Sequence, residues 1–339
     1  MLFRSVGENY DVDGVELDFL RHFEIFKTVG RGGIASQEQL DMLTDMVAQI
    51  RKVTEDAGMK RGNPILVLTR IPTSPEYARK AGVDIVRWID EGLVDIVVGS
   101  CYFRLDFWEN FAELGKNKNV KIYAGLSESR VREEHPFLMR QQNSVFRARA
   151  AAAWEAGLDG MYSFNEYNTR VKYLSEIGDK NKLKKTNNLY FVTYTDYTAG
   201  RYLTGGDDYF KMPRLSPTPA NQKKFNSGPF DFDIEIGDES DPANVFAVVF
   251  ADNVSSDKLI VKINGTAAEL MNATEDGLSV FKAEQTSVKA GINKFYIEAT
   301  GTPADDHVLK DAAIFFCRDK NDLEMRKLIA LCVRSQNTD

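Results

Sequence analysis

Two acidic side chains, Glu16 and Asp18, stand two residues apart in the stretch Tyr10-Asp11-Val12-Asp13-Gly14-Val15-Glu16-Leu17-Asp18-Phe19-Leu20-Arg21-His22. Val15, Leu17 and Phe19 alternate with Glu16, Asp18 and Leu20. That is the period of a β-strand, so both carboxylates fall on one face. On a covered sheet face such a pair costs several kcal/mol unless it is paired, wetted or used. Paired carboxyl groups are the machinery of glycoside cleavage: one protonates the leaving oxygen, the other attacks or activates water. Glu128, in Ser127-Glu128-Ser129, and Glu166, between Asn165 and Tyr167, complete the set of strand-end carboxylates. The expected roles are Asp18 as general acid/base and Glu128 as its partner. Glu166 is the second choice for either role, and Glu16 is a supporting group one layer deeper.

Each assignment has a plainer competitor. Asp18 could form a rim ion pair with Arg70, and Glu16 could pair with an arginine or lysine. Glu128 could pair with Arg130 or Arg132, and Glu166 could cap the segment that follows it. Around the carboxylates, Arg70 is expected to bind a substrate carboxylate or to balance Asp18. Tyr102 is expected to stack on a sugar ring, Asn165 and Asn168 to bind sugar hydroxyls, and Arg21 and His22 to line the mouth of the site.

Five strand patterns, starting near residues 14, 65, 94, 120 and 159, would carry these residues. Between them run helical patterns: Ser36 and Gln39 form a capping box ahead of a helix to about Ala57. A second helix runs from Ser74 to about Glu91, a short one over 105–114, and a long one over 136–156. Residues 170–176 and 180–185 give one or two more. Strand–helix alternation implies parallel pairing, and each strand ends in a polar cluster where barrel enzymes keep their active sites. No strand is followed by a glycine-rich dinucleotide fingerprint, which favours a barrel over a doubly wound sheet. A complete (β/α)8 barrel needs eight strands in about 250 residues. The five units here are therefore expected to be the C-terminal part of a TIM barrel, residues 1–186, whose opening strand is the fourth. That strand would then be an exposed edge open to self-association.

Residues 187–227 read as a crossing segment with one strand at 189–192. Residues 228–339 carry strand patterns at 230–235, 245–250, 258–263, 278–283, 294–299 and 312–317, with turns at Asn264-Gly265 and Ala290-Gly291. Such spacing implies a β-sandwich accessory domain, followed by a short helix from about Leu323. Asn253, Asn264 and Asn272 begin Asn-x-Ser/Thr triplets, which chance accounts for in so polar a region.

Composition narrows the function. The net charge of −7 argues against a nucleic-acid surface. No apolar run approaches the roughly 18 residues of a membrane helix. Three scattered cysteines and three histidines offer neither a disulfide framework nor a zinc site, and no cofactor is implied. Residues 1–5 carry no signal peptide.

The stretch from Tyr10 to His22 resembles the fourth-strand segment of bacterial barrels of the family-10-like glycosyl hydrolase group. Asp84-Ile85-Val86-Arg87-Trp88-Ile89-Asp90-Glu91-Gly92-Leu93-Val94-Asp95-Ile96-Val97-Val98-Gly99 is similar to theirs, as is the run from Ala153 to Asn165. The resemblance covers about residues 8–185. It implies an eight-stranded barrel that hydrolyses polysaccharide, catalytic roles for Asp18 and Glu128, and an extracytoplasmic location. Two other functions compete: a non-catalytic carbohydrate-binding protein on a degenerate barrel, and a metal-dependent barrel enzyme using Glu16, Asp18 and Glu128 as oxygen ligands.

Overall fold

The computed structural model describes residues 2–333 apart from 21, 103, 196–198 and 239–243. The chain forms two compact units. One gathers Met1–Ser127, Gly157–Phe164 and Tyr197–Lys211, and the other gathers Glu128–Ala156, Asn165–Asp196 and Met212–Asp339.

The first unit is built on a five-stranded sheet. Its strands are β1 (Gly14–Asp18), β2 (Leu66–Ile71), β3 (Ile96–Gly99), β4 (Lys121–Leu126) and β5 (Gly160–Ser163), hydrogen-bonded in that order. Every pairing is parallel. One face carries Leu17, Val67, Thr69, Ile71, Val97, Ile122, Ala124 and Leu126, all buried. β-Branched residues dominate because they fit a pleated surface covered by helices. The opposite face carries Glu16 and Asp18, then Leu68 and Arg70, Val98, Tyr123 and Tyr162, and several of these stay open to solvent. The outer edge of β1 has no strand partner among the described residues.

Aspartates close the N-terminal ends of the strands. Asp95, just before β3, accepts the Val67 N–H at 2.7 Å and binds Arg51 at 2.6 and 3.0 Å. Asp159, just before β5, accepts the Ile122 N–H at 2.9 Å and binds Lys121 at 2.9 Å. Both bonds satisfy a backbone donor at a strand entrance.

The expected long helix spans Gln37–Arg61. Ser36 and Gln39 make the reciprocal capping box, and Gly62 closes the helix at φ 79°. Its apolar stripe buries Leu40, Leu43, Val47, Ile50 and Ala57. The helix expected from Ser74 to Glu91 is instead two, Pro75–Ala81 and Ile85–Asp90. Gly82 breaks it at φ 117°, where a Cβ would meet the Phe26 ring at 2.6 Å. A glycine is needed there on both counts. The short helix is Trp108–Ala112, continued by a tighter turn over Glu113–Gly115.

The second unit is dominated by antiparallel strands: β6 (Asn188–Phe191), β7 (Lys223–Lys224), β8 (Phe230–Ile236), β9 (Asn244–Asp252), β10 (Leu259–Ile263), β11 (Thr266–Ala267), β12 (Glu269–Ala273), β13 (Leu278–Lys282), β14 (Gly291–Ala299) and β15 (Val308–Cys317). One sheet runs β11-β10-β14-β8. The other runs β12-β13-β9-β15-β6, with β7 also on β15. Asn264 and Gly265, at φ 49° and 84°, turn β10 into β11 as the sequence implies.

The helix expected over 136–156 starts only at Asn143 and ends at Glu155. Residues before it turn instead: the Leu138 N–H donates to the His135 carbonyl, and the Glu134 carboxylate accepts the Arg140 N–H. Within that turn Arg140 forms a buried ion pair with Asp311. Residues 172–175 and 180–183 form short helical turns, and a closing helix spans Arg326–Cys332. No helix among the described residues is long and apolar enough to cross a membrane.

Candidate active site

Arg70 organises the C-terminal end of the parallel sheet. Its strand neighbour in register is Asp18. The side chain lies on the same face as Glu16 and Asp18 and is 1% exposed. Nε donates to Asp18 Oδ1 at 3.0 Å and Nη2 donates to Oδ2 at 2.7 Å. This fork-on-carboxylate geometry is the strong form of an ion pair. Glu16 Oε1 stands 3.9 Å from Nε, so one guanidinium serves two carboxylates. The guanidinium lies 3.8 Å over the Phe164 ring, and Tyr102 meets that ring edge-on at 5.3 Å. Asp18 also accepts the Leu20 N–H at 3.0 Å, which ends the strand.

The carboxylates are less enclosed than their partner. The side chains of Glu16 and Asp18 are 33% and 39% exposed. A buried cation thus presents two acidic groups to an open face. Tyr162 arrives from β5, at the other end of the strand order, and its hydroxyl lies 3.0 and 3.1 Å from the two Glu16 oxygens. Five strands laid flat would set β1 and β5 roughly 19 Å apart, beyond the reach of a tyrosine and a glutamate. The sheet therefore curls until its outer strands face each other.

Burial is the largest influence on Glu16 and raises its pKa. The neighbouring Asp18 charge adds to that rise, while the Tyr162 hydrogen bond and Arg70 act against it without cancelling it. Burial and the adjacent Glu16 push the Tyr162 phenol up to about 12. A carboxyl that holds its proton longer than usual, beside a second carboxyl, is the arrangement acid catalysis uses.

Some sequence-predicted residues meet here and others do not. Glu16, Asp18 and Arg70 form one cluster, with Arg70 balancing Asp18. Tyr102 is 2% exposed and spends its ring packing on Phe164, so it does not offer a stacking surface. His22 is exposed, edge-on to Tyr202 at 6.4 Å. Arg21 lies outside the described residues. Glu128, Asn165, Glu166 and Asn168 all belong to the second unit. There Glu128 lies 3.4 Å from Arg130. Glu166 accepts the Asn168 N–H at 2.8 Å and the Tyr173 hydroxyl at 3.0 Å. Asn165, at φ 56°, accepts the Tyr167 hydroxyl, and the Asn168 side chain accepts the Arg170 N–H. These contacts are those of loop turns and caps.

Tyr162 and Phe164 escaped the sequence reading. Their signal was positional: they occupy alternate places at the end of the last strand, the face-sharing pattern already used for Glu16 and Asp18. Glu134 escaped too. It is partly buried in the second unit, and desolvation raises its pKa despite the pull of Arg140 and Arg149. Among the described residues no three His, Cys, Asp or Glu side chains converge in a way that could hold a metal ion.

The chain matches no protein-family model and no curated protein.

Proposed function

We propose that the protein hydrolyses an O-glycosidic bond of an oligosaccharide or polysaccharide, with Glu16 as proton donor and Asp18 as the second carboxylate. The observation that carries this reading is the pairing of a carboxyl of raised pKa with a second carboxyl on an open strand-end face. Glu16 passes its proton to the glycosidic oxygen as the bond to the anomeric carbon breaks. Water then adds to that carbon and gives its proton to Asp18. Arg70 fixes Asp18 so that its exposed side faces the sugar. This assignment shifts the acid role from Asp18 to Glu16, and the partner role from Glu128 to Asp18. The reason is that Glu128 and Glu166 are engaged locally in another unit.

The fold that goes with this reading is the C-terminal part of an eight-stranded barrel followed by a β-sandwich. The curl that brings Tyr162 to Glu16 supports the first, since strands four and eight of such a barrel face each other. The two antiparallel sheets support the second. The likeness of the Tyr10–His22 stretch to family-10-like glycosyl hydrolases points the same way.

The test is release of new reducing ends from a panel of polysaccharides and aryl glycosides by the full chain. Glu16→Gln should lower turnover about 10²- to 10⁴-fold while circular dichroism stays unchanged. Carbohydrate binding without hydrolysis is the second reading, favoured by the three hydrogen bonds that Asp18 already accepts from Arg70 and Leu20. It predicts heat on calorimetric titration with sugar and no product.

A further inference from the structure

Glu16 and Tyr162 stand on the first and last strands of the sheet order, and no strand pairing joins them. Their contact is made by side chains alone. The phenol oxygen lies almost equally close to both carboxyl oxygens, 3.0 and 3.1 Å. A phenol carries one hydrogen, so it can donate fully to one oxygen. Lying astride both oxygens, the hydroxyl can give that hydrogen to either one.

The tyrosine is itself held in place. Gly160, two residues earlier on the same face, lies under the Tyr123 ring, where an added Cβ would come within 2.7 Å. The ring of Tyr162 is 5.8 Å from the Arg70 guanidinium, whose other aromatic neighbour is Phe164. The Tyr123 ring thus fills the place beside Gly160, and the buried Arg70 cation lies by the Tyr162 ring.

We infer that Tyr162 is a positioning residue that reaches across the curled sheet and holds the Glu16 carboxyl in one orientation. This rests on the reading of Glu16 as the acid. The charged and titratable groups that face Glu16 are Asp18 on its own strand, Arg70 on β2 and Tyr162 on β5. Of these, only Tyr162 can be stripped of its hydrogen bond with the ring left in place.

The experiment uses the full chain carrying ¹³C-labelled glutamate carboxyls, with the Glu16 signal assigned by its loss in Glu16→Gln. In Tyr162→Phe the Glu16 titration midpoint should move upward, because a hydrogen bond favouring the charged form is gone. The alkaline limb of kcat should move with it, and kcat should fall about tenfold with KM little changed. Tyr162→Ala should reproduce the midpoint shift and also lower thermal stability. An unmoved midpoint in both variants overturns the inference, even where the parent enzyme hydrolyses glycosides. A moved midpoint in a protein that hydrolyses nothing sustains Tyr162's role and removes the glycosidase reading instead.

Discussion

A three-part device of arginine, aspartate and phenylalanine can be compared between the two units, with opposite outcomes. In the first, Arg70 forks onto Asp18 and lies 3.8 Å over Phe164. In the second, Arg140 grips both oxygens of Asp311 at 2.6 and 2.8 Å and lies 4.0 Å over Phe191. Both arginines are enclosed, but their acids differ. The Asp311 side chain is 5% exposed, and Arg140 also donates to the Thr193 carbonyl, so that pair is sealed. Asp18 and Glu16 face outward. A closed ion pair serves packing, whereas a closed cation bearing open acids leaves charge for a ligand to meet. Exposure of the acid, more than the presence of the pair, separates the two arrangements.

The comparison breaks most readily at its sealed end. Arg140→Met leaves Asp311 charged in an enclosed place and should cost about 3–5 kcal/mol in urea unfolding. Arg70→Met should cost less, about 1–2 kcal/mol, because its acids regain water. Equal costs would erase the distinction drawn between the two pairs.

A smaller effect concerns His135 in the second unit. Its Nε2 lies 3.0 Å from Asp276, and its Nδ1 accepts the Phe137 N–H at 3.2 Å. Lys310 and Lys327 sit over the neighbouring Phe250 and Phe137 rings. Burial depresses the His135 pKa below 6.5 and outweighs the pull of Asp276. The native state therefore favours neutral imidazole. Stability from this group is present above pH 6.5 and is lost as pH falls through the lowered native value. Thermal unfolding of His135→Asn should lose that slope while keeping the rest of the acid transition.

Glu16→Gln should give the smallest change, and a favourable one. A raised carboxyl pKa means the charged form is disfavoured in the native state. Stability from Glu16 is thus full below its ordinary 4.5 and declines as pH rises through the native value. The amide escapes that loss, so the variant should melt slightly higher at pH 7 and identically at pH 4. The gain stays small because a third of the side chain is open to solvent. A lower melting point at pH 7 would mean that Glu16 supports the fold rather than the chemistry.

The local rules were readable in the chain. Alternation placed Glu16 and Asp18 on one face, and the Ser36–Gln39 box marked its helix start. The rim ion pair of Asp18 with Arg70 was among the expectations because neighbouring parallel strands end together. Long-range facts were not readable. Nothing near Tyr162 says that its strand curls round to meet β1. Nothing near Pro136 says that Arg140 pairs with Asp311, 171 residues away. Gly82 could have been read as a helix stop, but its need shows only with Phe26 in place. Glu128 and Glu166 drew attention by following strands, and their loops then used them locally.

Neither unit is a continuous piece of chain. The path changes unit after Ser127, Ala156, Phe164, Asp196 and Lys211. β5 must find β4 after a helix that belongs elsewhere has intervened, and residues 197–211 return later still. Folding of such a chain is paced by the closing of long loops, and chains rich in distant contacts fold slowly. A ribosome would release β1 to β4 well before the strand that carries Tyr162. In that interval Glu16 waits without Tyr162, so the contact between them is assembled among the last features of its unit.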